Sequence, residues 1–518
     1  VVLVGYGPVA ARFVEEMLPA VQAGRVLLTV LGAEAEEAYN RVLLAEYAVG
    51  AASRGRLDVT DPVAARAAGV DIRLSAVVTA IDRPRRRVVL YGGEEVAYDR
   101  LVLATGARAN IPTLDGLERA RRDRSAAPAP GLDSGSAPLP EGVLVLRDLR
   151  DAEAVTPVVA MRGSIVVLGA GVLGMEFALL AAEHGARVVV VHHGPVPMAR
   201  NLDEPGGRML ARAAASLGVG MAAHARAEAV LYRDTPSGRI FDGLVCADGS
   251  YIRGDLLVLS CGVSPRTELA AGAGLACVTG VLVDEQLRSW SDPDIFAIGD
   301  CAHVAAPAEA DAAGRVAGAP SGLIGPGWRQ AAALARRITA ETEGAIAGGD
   351  AVVTRDPRPA PVMLKATGID VVAAGDHAAE MWDDTAEVSV WLDPARRAYL
   401  KTVVRAGILV GFVAVGLPRA GAELTLLFER GAMLPGDPST LLRLDAPDLE
   451  AASASGPGDS DATVCWCNGV SAGGIDEAVR SGCATVDAIG RRTRAGTGCG
   501  GCRGRIAAIL AAANPVLS

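Results

Sequence analysis

Residues 165–174 read I-V-V-L-G-A-G-V-L-G, an apolar run that breaks into glycine at Gly169, Gly171 and Gly174. Four apolar residues in a row suit a strand buried on both faces of a parallel sheet. The three glycines then have separate tasks. The first makes the tight turn, the second lets backbone approach a pyrophosphate, and the third packs the next helix onto the strand. That helix is predicted to run to about His184, and its N-terminus attracts phosphate charge. Residues 165–182 are mostly apolar, but Glu176 and the glycines within them favour strand, turn and helix over a membrane span. A further strand is predicted over 187–191. The acid expected after it for NAD is missing, and His192 and His193 stand there instead. Arg200 is a candidate for a 2′-phosphate, so the choice between NADH and NADPH stays open.

The same pattern opens the chain. An apolar run at 1–4 leads into G-Y-G-P-V-A, which puts Gly5, Gly7 and Ala10 in the three fingerprint positions. A strand predicted over 26–31 leads to Glu34, placed to accept hydrogen bonds from a ribose. The chain begins directly in that strand without methionine, which suggests that a few residues precede it. Y-N-R-V-L-L at 39–44 lies where flavin-dependent disulfide reductases carry a redox cysteine pair. The first cysteine here is Cys246, so dithiol chemistry is not expected as the route out of a flavin.

Y-D-R-L-V-L-A-T-G at 98–106 reads as a buried strand ending in Ala104-Thr105-Gly106, at a crossing between two dinucleotide units. Residues 119–141, rich in Arg, Ala, Pro, Ser and Gly, read as a flexible surface insertion. Another apolar strand is predicted over 254–262. W-S-D-P-D-I-F-A-I-G-D-C at 290–301 then delivers Asp300 to the end of a strand, where it would suit a ribityl hydroxyl. G-P-G-W-R-Q-A-A-A-L-A-R-R-I at 325–338 is predicted to be a helix whose N-terminus faces the electron-rich end of an isoalloxazine ring. Residues 362–416 alternate short apolar strands with turns, as a module for dimerisation or for covering the flavin. Residues 447–461 read as a flexible linker.

The last segment gives Cys465-Trp466-Cys467 and, after residues 468–498, Cys499-Gly500-Gly501-Cys502. Four thiolates suit Zn²⁺ or a [2Fe–2S] cluster. Glycines packed around the second pair let backbone N–H groups turn toward sulfur, which favours the cluster. Short helices are expected over 473–481, 486–494 and 503–513, and Cys483 is read as structural.

Bulk properties narrow the function class. The 518 residues allow several domains; a formal charge of −10 without long like-charge runs argues against a nucleic-acid partner. Nine cysteines with no visible export signal point to a reducing cytoplasm rather than to disulfides.

Residues 1–345, through Y-N-R-V-L-L, A-T-G, G-A-G-V-L-G-M-E and G-D-C-A, resemble the flavoprotein half of the NAD(P)H-dependent nitrite reductase large subunit and related assimilatory nitrate reductase electron-transfer subunits. Residues 464–518 resemble the bacterioferritin-associated-ferredoxin-like [2Fe–2S] domain of the same proteins. The resemblance implies an α/β fold of the pyridine nucleotide-disulfide reductase type, with two interleaved Rossmann-like domains. It implies an FAD-binding domain at 1–118 and 256–345, an NAD(P)H-binding domain at 142–255 and a small α+β module at 355–446. A linker at 447–463 and a small helical [2Fe–2S] domain at 464–518 complete it. By resemblance, Gly5, Gly7, Ala10, Glu34, Arg41, Thr105 and Asp300 contact FAD, and Gly169, Gly171, Gly174 and Glu176 lie at the NAD(P)H site. Cys465, Cys467, Cys499 and Cys502 ligate iron. The large subunit's sirohaem and [4Fe–4S] module has cysteines spaced C-x5-C and C-x3-C; none of Cys246, Cys261, Cys277, Cys301 or Cys483 has that spacing. No separate catalytic side chain is expected, because the cofactors carry the chemistry.

The expectation is therefore a cytoplasmic NAD(P)H-dependent FAD and [2Fe–2S] oxidoreductase. Its partner would be a molybdenum nitrate reductase or a sirohaem nitrite reductase, with no membrane or nucleic acid involved and a homodimer open. Two alternatives are the FAD subunit of a two-component opine or amino-acid dehydrogenase, and a non-catalytic redox-sensing module.

Overall fold

The computed structural model describes residues 1–117, 139–236, 238–311, 315–343, 359–366, 368–434, 437–445, 460, 463–465, 468–498 and 500–513. Most of the expected insertion and linker, together with Cys467 and Cys499, lies outside the described residues.

Two parallel sheets organise the first two thirds. In the first, Asp292–Ala297, Leu101–Leu103, Val2–Val4, Thr29–Leu31 and Asp71–Arg73 lie side by side and parallel. Val281–Val283, Arg288–Ser289 and Ala302–Val304 extend it to eight strands. In the second, Gly220–Ala222, Arg187–Val191, Ser164–Leu168, Leu256–Leu259 and Val143–Val145 are all parallel. Helices cover both sheets, so central strands are continuous apolar runs; Val2–Val4 and Leu256–Leu259 are buried at every residue.

The first sheet takes strands from both sides of the second sheet's sequence, so the two units are interleaved. The expected boundary at 256 needs correction. Leu256–Leu259 is hydrogen-bonded between Ser164–Leu168 and Val143–Val145 in the second sheet, because its fully buried residues need cover on both faces. The chain returns only afterwards, where Val263–Pro265 pairs antiparallel with Ala107–Ala109. The A-T-G segment does lie at this crossing. The strand predicted over 26–31 is shorter, Thr29–Leu31.

Residues 362–430 form the third unit. Five antiparallel strands run in the order Val362–Ala366, Ile369–Gly375, Ile408–Val415, Ala398–Arg405 and Glu387–Asp393. The helix Pro418–Arg430 packs on them, with Phe412 and Phe428 edge to face at 6.0 Å. This unit is fused to the second one, since Val371, Tyr399 and Val413 share a buried core with Ile165 and Phe177. A polar knot reinforces the join. Tyr399 donates to Asp203 at 2.5 Å, and buried Lys401 lies 3.2 Å from the same carboxylate.

The C-terminal unit is small. A hairpin of Thr463–Cys465 and Val470–Ser471 precedes the helices Ala472–Arg480, Val486–Thr493 and Arg503–Ala513, close to the expected helices. Ile475, Ile489 and Ile506 form its core. Among the described residues no helix is long and apolar enough to cross a membrane.

Candidate cofactor cavity and cluster site

The first fingerprint is shaped by a steric necessity. Gly5 has φ +102°, and a Cβ there would stand 2.2 Å from the Ala104 carbonyl oxygen. Gly7 begins the helix Pro8–Gln22 without a side-chain cap, leaving first-turn N–H groups free for an anion. A Cβ on Gly7 would meet nothing closer than Arg41 Nε at 4.0 Å, so the backbone is open on that side. Ala10 is buried beneath.

Glu34, in the loop after the neighbouring strand Thr29–Leu31, is held from two sides. Tyr39 donates to it at 2.8 Å, and Arg41 forms an ion pair with it. Arg41 also donates to the Arg147 carbonyl at 2.9 Å and lies 4.9 Å from the Tyr39 ring centroid. Arg147 reaches Asp300 at 3.4 Å; burial and then the nearby Arg41 charge push its pKa down. Thr105 donates to the Arg266 carbonyl at 3.0 Å, tying the outgoing strand of the crossing to the returning one. Asp300 follows Gly299, whose N–H donates to Gln330 at 2.7 Å, and Trp328 donates to the Pro8 carbonyl at 3.1 Å. The helix Ile324–Thr342 is thereby fixed against Pro8–Gln22, with Leu323 to Pro326 at the cavity wall.

The second fingerprint repeats the first with one change. Gly169 has φ +115°, and a Cβ there would meet the Ser260 carbonyl oxygen at 2.2 Å. Gly171 is open, with nothing within 4 Å. Gly174 has no room, because a Cβ would stand 2.2 Å from the Gly169 carbonyl oxygen. Glu176 lines the cavity one helical step on. The histidine pair divides: His193 is exposed, whereas His192 is 6% exposed and its Nε2 has no hydrogen-bond partner among the described residues. Burial, then His193 and His224, push the His192 pKa down.

Of the four expected metal-ligating thiols, Cys465 and Cys502 fall within the described residues, and both are buried. The Cys465 thiol is pushed down to about 6, chiefly by its hydrogen bond with Cys502 and against burial, with further help from the Gly496 and Asn468 N–H groups. The Asn468 side chain also approaches Cys465 Sγ at 3.7 Å. A thiol stabilised as thiolate by backbone and amide N–H groups fits an iron–sulfur ligand. Cys246, Cys261, Cys277, Cys301 and Cys483 are in no disulfide among the described residues. Elsewhere, burial pushes the Cys261 thiol up to about 11, and also raises Cys301, which argues against thiolate chemistry there.

These three places open onto one cavity of about 1470 Å³. Its walls include Gly5, Gly7, Glu34 and Arg41; Gly171, Gly174 and Glu176; and Cys465 and Cys502. Met363, Val371 and Phe428 of the third unit also line it, so that unit does cover the cavity. A long cofactor with a pyrophosphate fits here: two uncapped helix starts and two open glycines face the same space. Arg147, Tyr39 and Asn40 escaped sequence reasoning. Tyr39 and Asn40 stood inside a quoted motif but had no partner until distant strands and loops came together, and Arg147 carried no local signal.

The family described as pyridine nucleotide-disulphide oxidoreductase matches residues 1–317, and the BFD-like [2Fe-2S] binding domain matches residues 463–512. The chain is 32% identical over 517 residues to the nitrite reductase [NAD(P)H] large subunit of Klebsiella oxytoca, covering 98% of this chain and 48% of that one. It is 27% identical over 509 residues to the assimilatory nitrate reductase electron transfer subunit of Bacillus subtilis (strain 168), covering 97% and 58% respectively. The chain thus spans about half the length of the curated relatives it matches. Among solved structures, the ferredoxin reductase for the CYP199A2 system from Rhodopseudomonas palustris superposes with a TM-score of 0.64 at 25% identity, covering 85% of this chain and 98% of that one. The cofactors that go with these two matched regions are FAD, NAD(P)H and a [2Fe–2S] cluster.

Proposed function

We propose, from the premise that this chain belongs to the pyridine nucleotide-disulphide oxidoreductase family, that it is an NAD(P)H-dependent flavoprotein reductase whose electrons leave through a [2Fe–2S] cluster for a protein acceptor. The observation that carries this reading is the shared cavity, in which Gly7, Gly171 and Cys502 line one space. When bound, FAD takes two electrons from the nicotinamide as a hydride, and the cluster passes them on one at a time.

The chain's own residues position and orient. Gly5, Gly7 and Ala10 bring the helix start to the FAD pyrophosphate, and Glu34, held by Tyr39 and Arg41, accepts from the ribose. Asp300 accepts from the ribityl chain, and Thr105 keeps the wall of the crossing in place. Gly169, Gly171 and Gly174 take the NAD(P)H pyrophosphate, with Glu176 beside it. Cys465, Cys467, Cys499 and Cys502 are the iron ligands in this reading. The high pKa of the Cys261 and Cys301 thiols supports an exit through the cluster rather than through a dithiol.

The acceptor we infer is a terminal reductase of nitrite or nitrate, because the Klebsiella relative is named a nitrite reductase and the Bacillus relative a nitrate reductase electron transfer subunit. The test is reduction of ferricyanide and of a one-electron protein acceptor by the purified chain with NADH or NADPH. Cys502→Ser is expected to lose iron and protein-acceptor reduction while NAD(P)H still bleaches the flavin. A wild-type chain whose flavin NAD(P)H does not bleach would overturn the reading.

A further inference from the structure

Among the described residues, Asn40 and Glu15 of the flavin unit reach polar groups of the cluster unit, and Asn40 is fully used. Asn40 is 1% exposed. Its side-chain oxygen accepts from Val42 N at 3.1 Å, capping the short turn Arg41–Leu43, and its own N–H donates to the Leu57 carbonyl at 2.6 Å. Its two amide hydrogens both leave the flavin unit. One goes to the Thr497 carbonyl at 3.1 Å, the other to the buried Gly498 carbonyl at 2.7 Å. The next residue in the chain is Cys499.

A second strut reaches the other cysteine pair. Arg494 forms an ion pair with Glu15 on the helix Pro8–Gln22. The Arg494 carbonyl accepts from Asn468 Nδ2 at 2.8 Å, and the same amide approaches Cys465 Sγ at 3.7 Å. Both cysteine-bearing segments are therefore tied to the flavin unit. The Asn40 tie sits beside Arg41, which faces the cavity, so adjacent residues of one turn address the flavin space and the cluster loop.

We propose that Asn40 is the positioning residue for electron exit: by holding the Thr497 and Gly498 carbonyls it fixes the cluster loop against the flavin unit. This rests on the cluster assignment made above. No bond forms or breaks at Asn40; the electrons are the pair delivered by NAD(P)H, and the accompanying proton goes to solvent. Without the amide, a buried carbonyl loses its donor, and the docked arrangement weakens relative to open ones.

The test uses the full-length holoprotein and Asn40→Ala. Hydrogen exchange is measured for the amides of residues 494–498, and stopped-flow absorbance follows flavin bleaching and cluster reduction after mixing with NAD(P)H. Exchange in that segment should rise about tenfold, and the rate of cluster reduction relative to flavin bleaching should fall about tenfold. Unchanged exchange together with unchanged cluster reduction overturns the proposal. Should Asn40→Ala lose flavin, the ion-pair swap decides. Glu15→Arg and Arg494→Glu should each raise exchange and slow cluster reduction, and the double variant should restore both; absence of rescue overturns the docked arrangement. If the wild-type cluster is not reduced at all, the functional reading fails, and the exchange measurement alone decides the docking role of Asn40.

Discussion

The two dinucleotide units start from the same glycine pattern and diverge in two places. In both, the first glycine lies against a carbonyl of the adjacent strand's end, at 2.2 Å from where a Cβ would be: Ala104 in one unit, Ser260 in the other. The second glycine is open in both. At the third position, however, Ala10 fits in the first unit, whereas Gly174 presses on the Gly169 carbonyl in the second. The strand-end residue differs as well. Glu34, beyond Leu31, is a partnered carboxylate, whereas Gly194 stands at the matching place beyond Val191, after the buried imidazole of His192. The lesson is that the first glycine is required by the fold itself, while the third position and the strand end are set by each unit's own contacts.

That comparison is easiest to break at the shared position. Gly5→Ala puts a methyl into the Ala104 carbonyl at φ +102°, and purified protein should contain little flavin, as its absorbance spectrum will report. Gly169→Ala meets an equal clash, so it should retain flavin but lose nicotinamide binding by about 100-fold or more, measured by titrating the bleaching. Retention of wild-type affinity by that variant would mean the backbone yields there.

The third position should show the asymmetry directly. Gly174→Ala is expected to destabilise by about 1–3 kcal/mol through overpacking, and Ala10→Gly by about 1 kcal/mol through backbone entropy, with flavin retained. Equal effects on Tm and nucleotide binding would erase the distinction. Just past the second strand, His193→Asp introduces an acid beside the nicotinamide fingerprint; the ratio of kcat/KM for NADH over NADPH should rise about tenfold.

The smallest effect is in pH. His192 has its folded pKa below the ordinary 6.5 because it is buried. An unfolded chain therefore binds its proton first as pH falls. The stability from keeping it neutral is full above about 6.5 and is lost as pH falls toward the lower folded value. Tm should fall by a few degrees at most between pH 7 and pH 5.5 from this group. His192→Asn should flatten that part of the profile, and an unaltered slope would exclude the imidazole as its source.

The turn glycines were legible in the sequence because a steric demand leaves one residue type to meet it. The three C-terminal helices were legible because their apolar residues recur at helical spacing around Ile475, Ile489 and Ile506. The boundary at 256 was misread for a physical reason: Leu256–Leu259 is apolar on both faces, and nothing local says which sheet supplies the cover. Asn40 was equally opaque, since its partners lie 457 and 458 residues away. The burial of His192 has no local signal either: the strand Gly220–Ala222 and the chain at His224 close over it.

The interleaving of the first two sheets also sets a timetable for synthesis. The second sheet is drawn from one contiguous stretch, Val143 to Leu259, whereas the first needs Val2–Val4 beside Leu101–Leu103 and then Asp292–Ala297 to continue it. Domains emerge from the ribosome in sequence order and tend to fold as units. Here the earliest strands must wait, with an edge unpaired, until a later-made domain has emerged and the chain has returned from it. The nicotinamide sheet is thus the first that can pair all of its strands, and the flavin sheet, begun first, is finished after it.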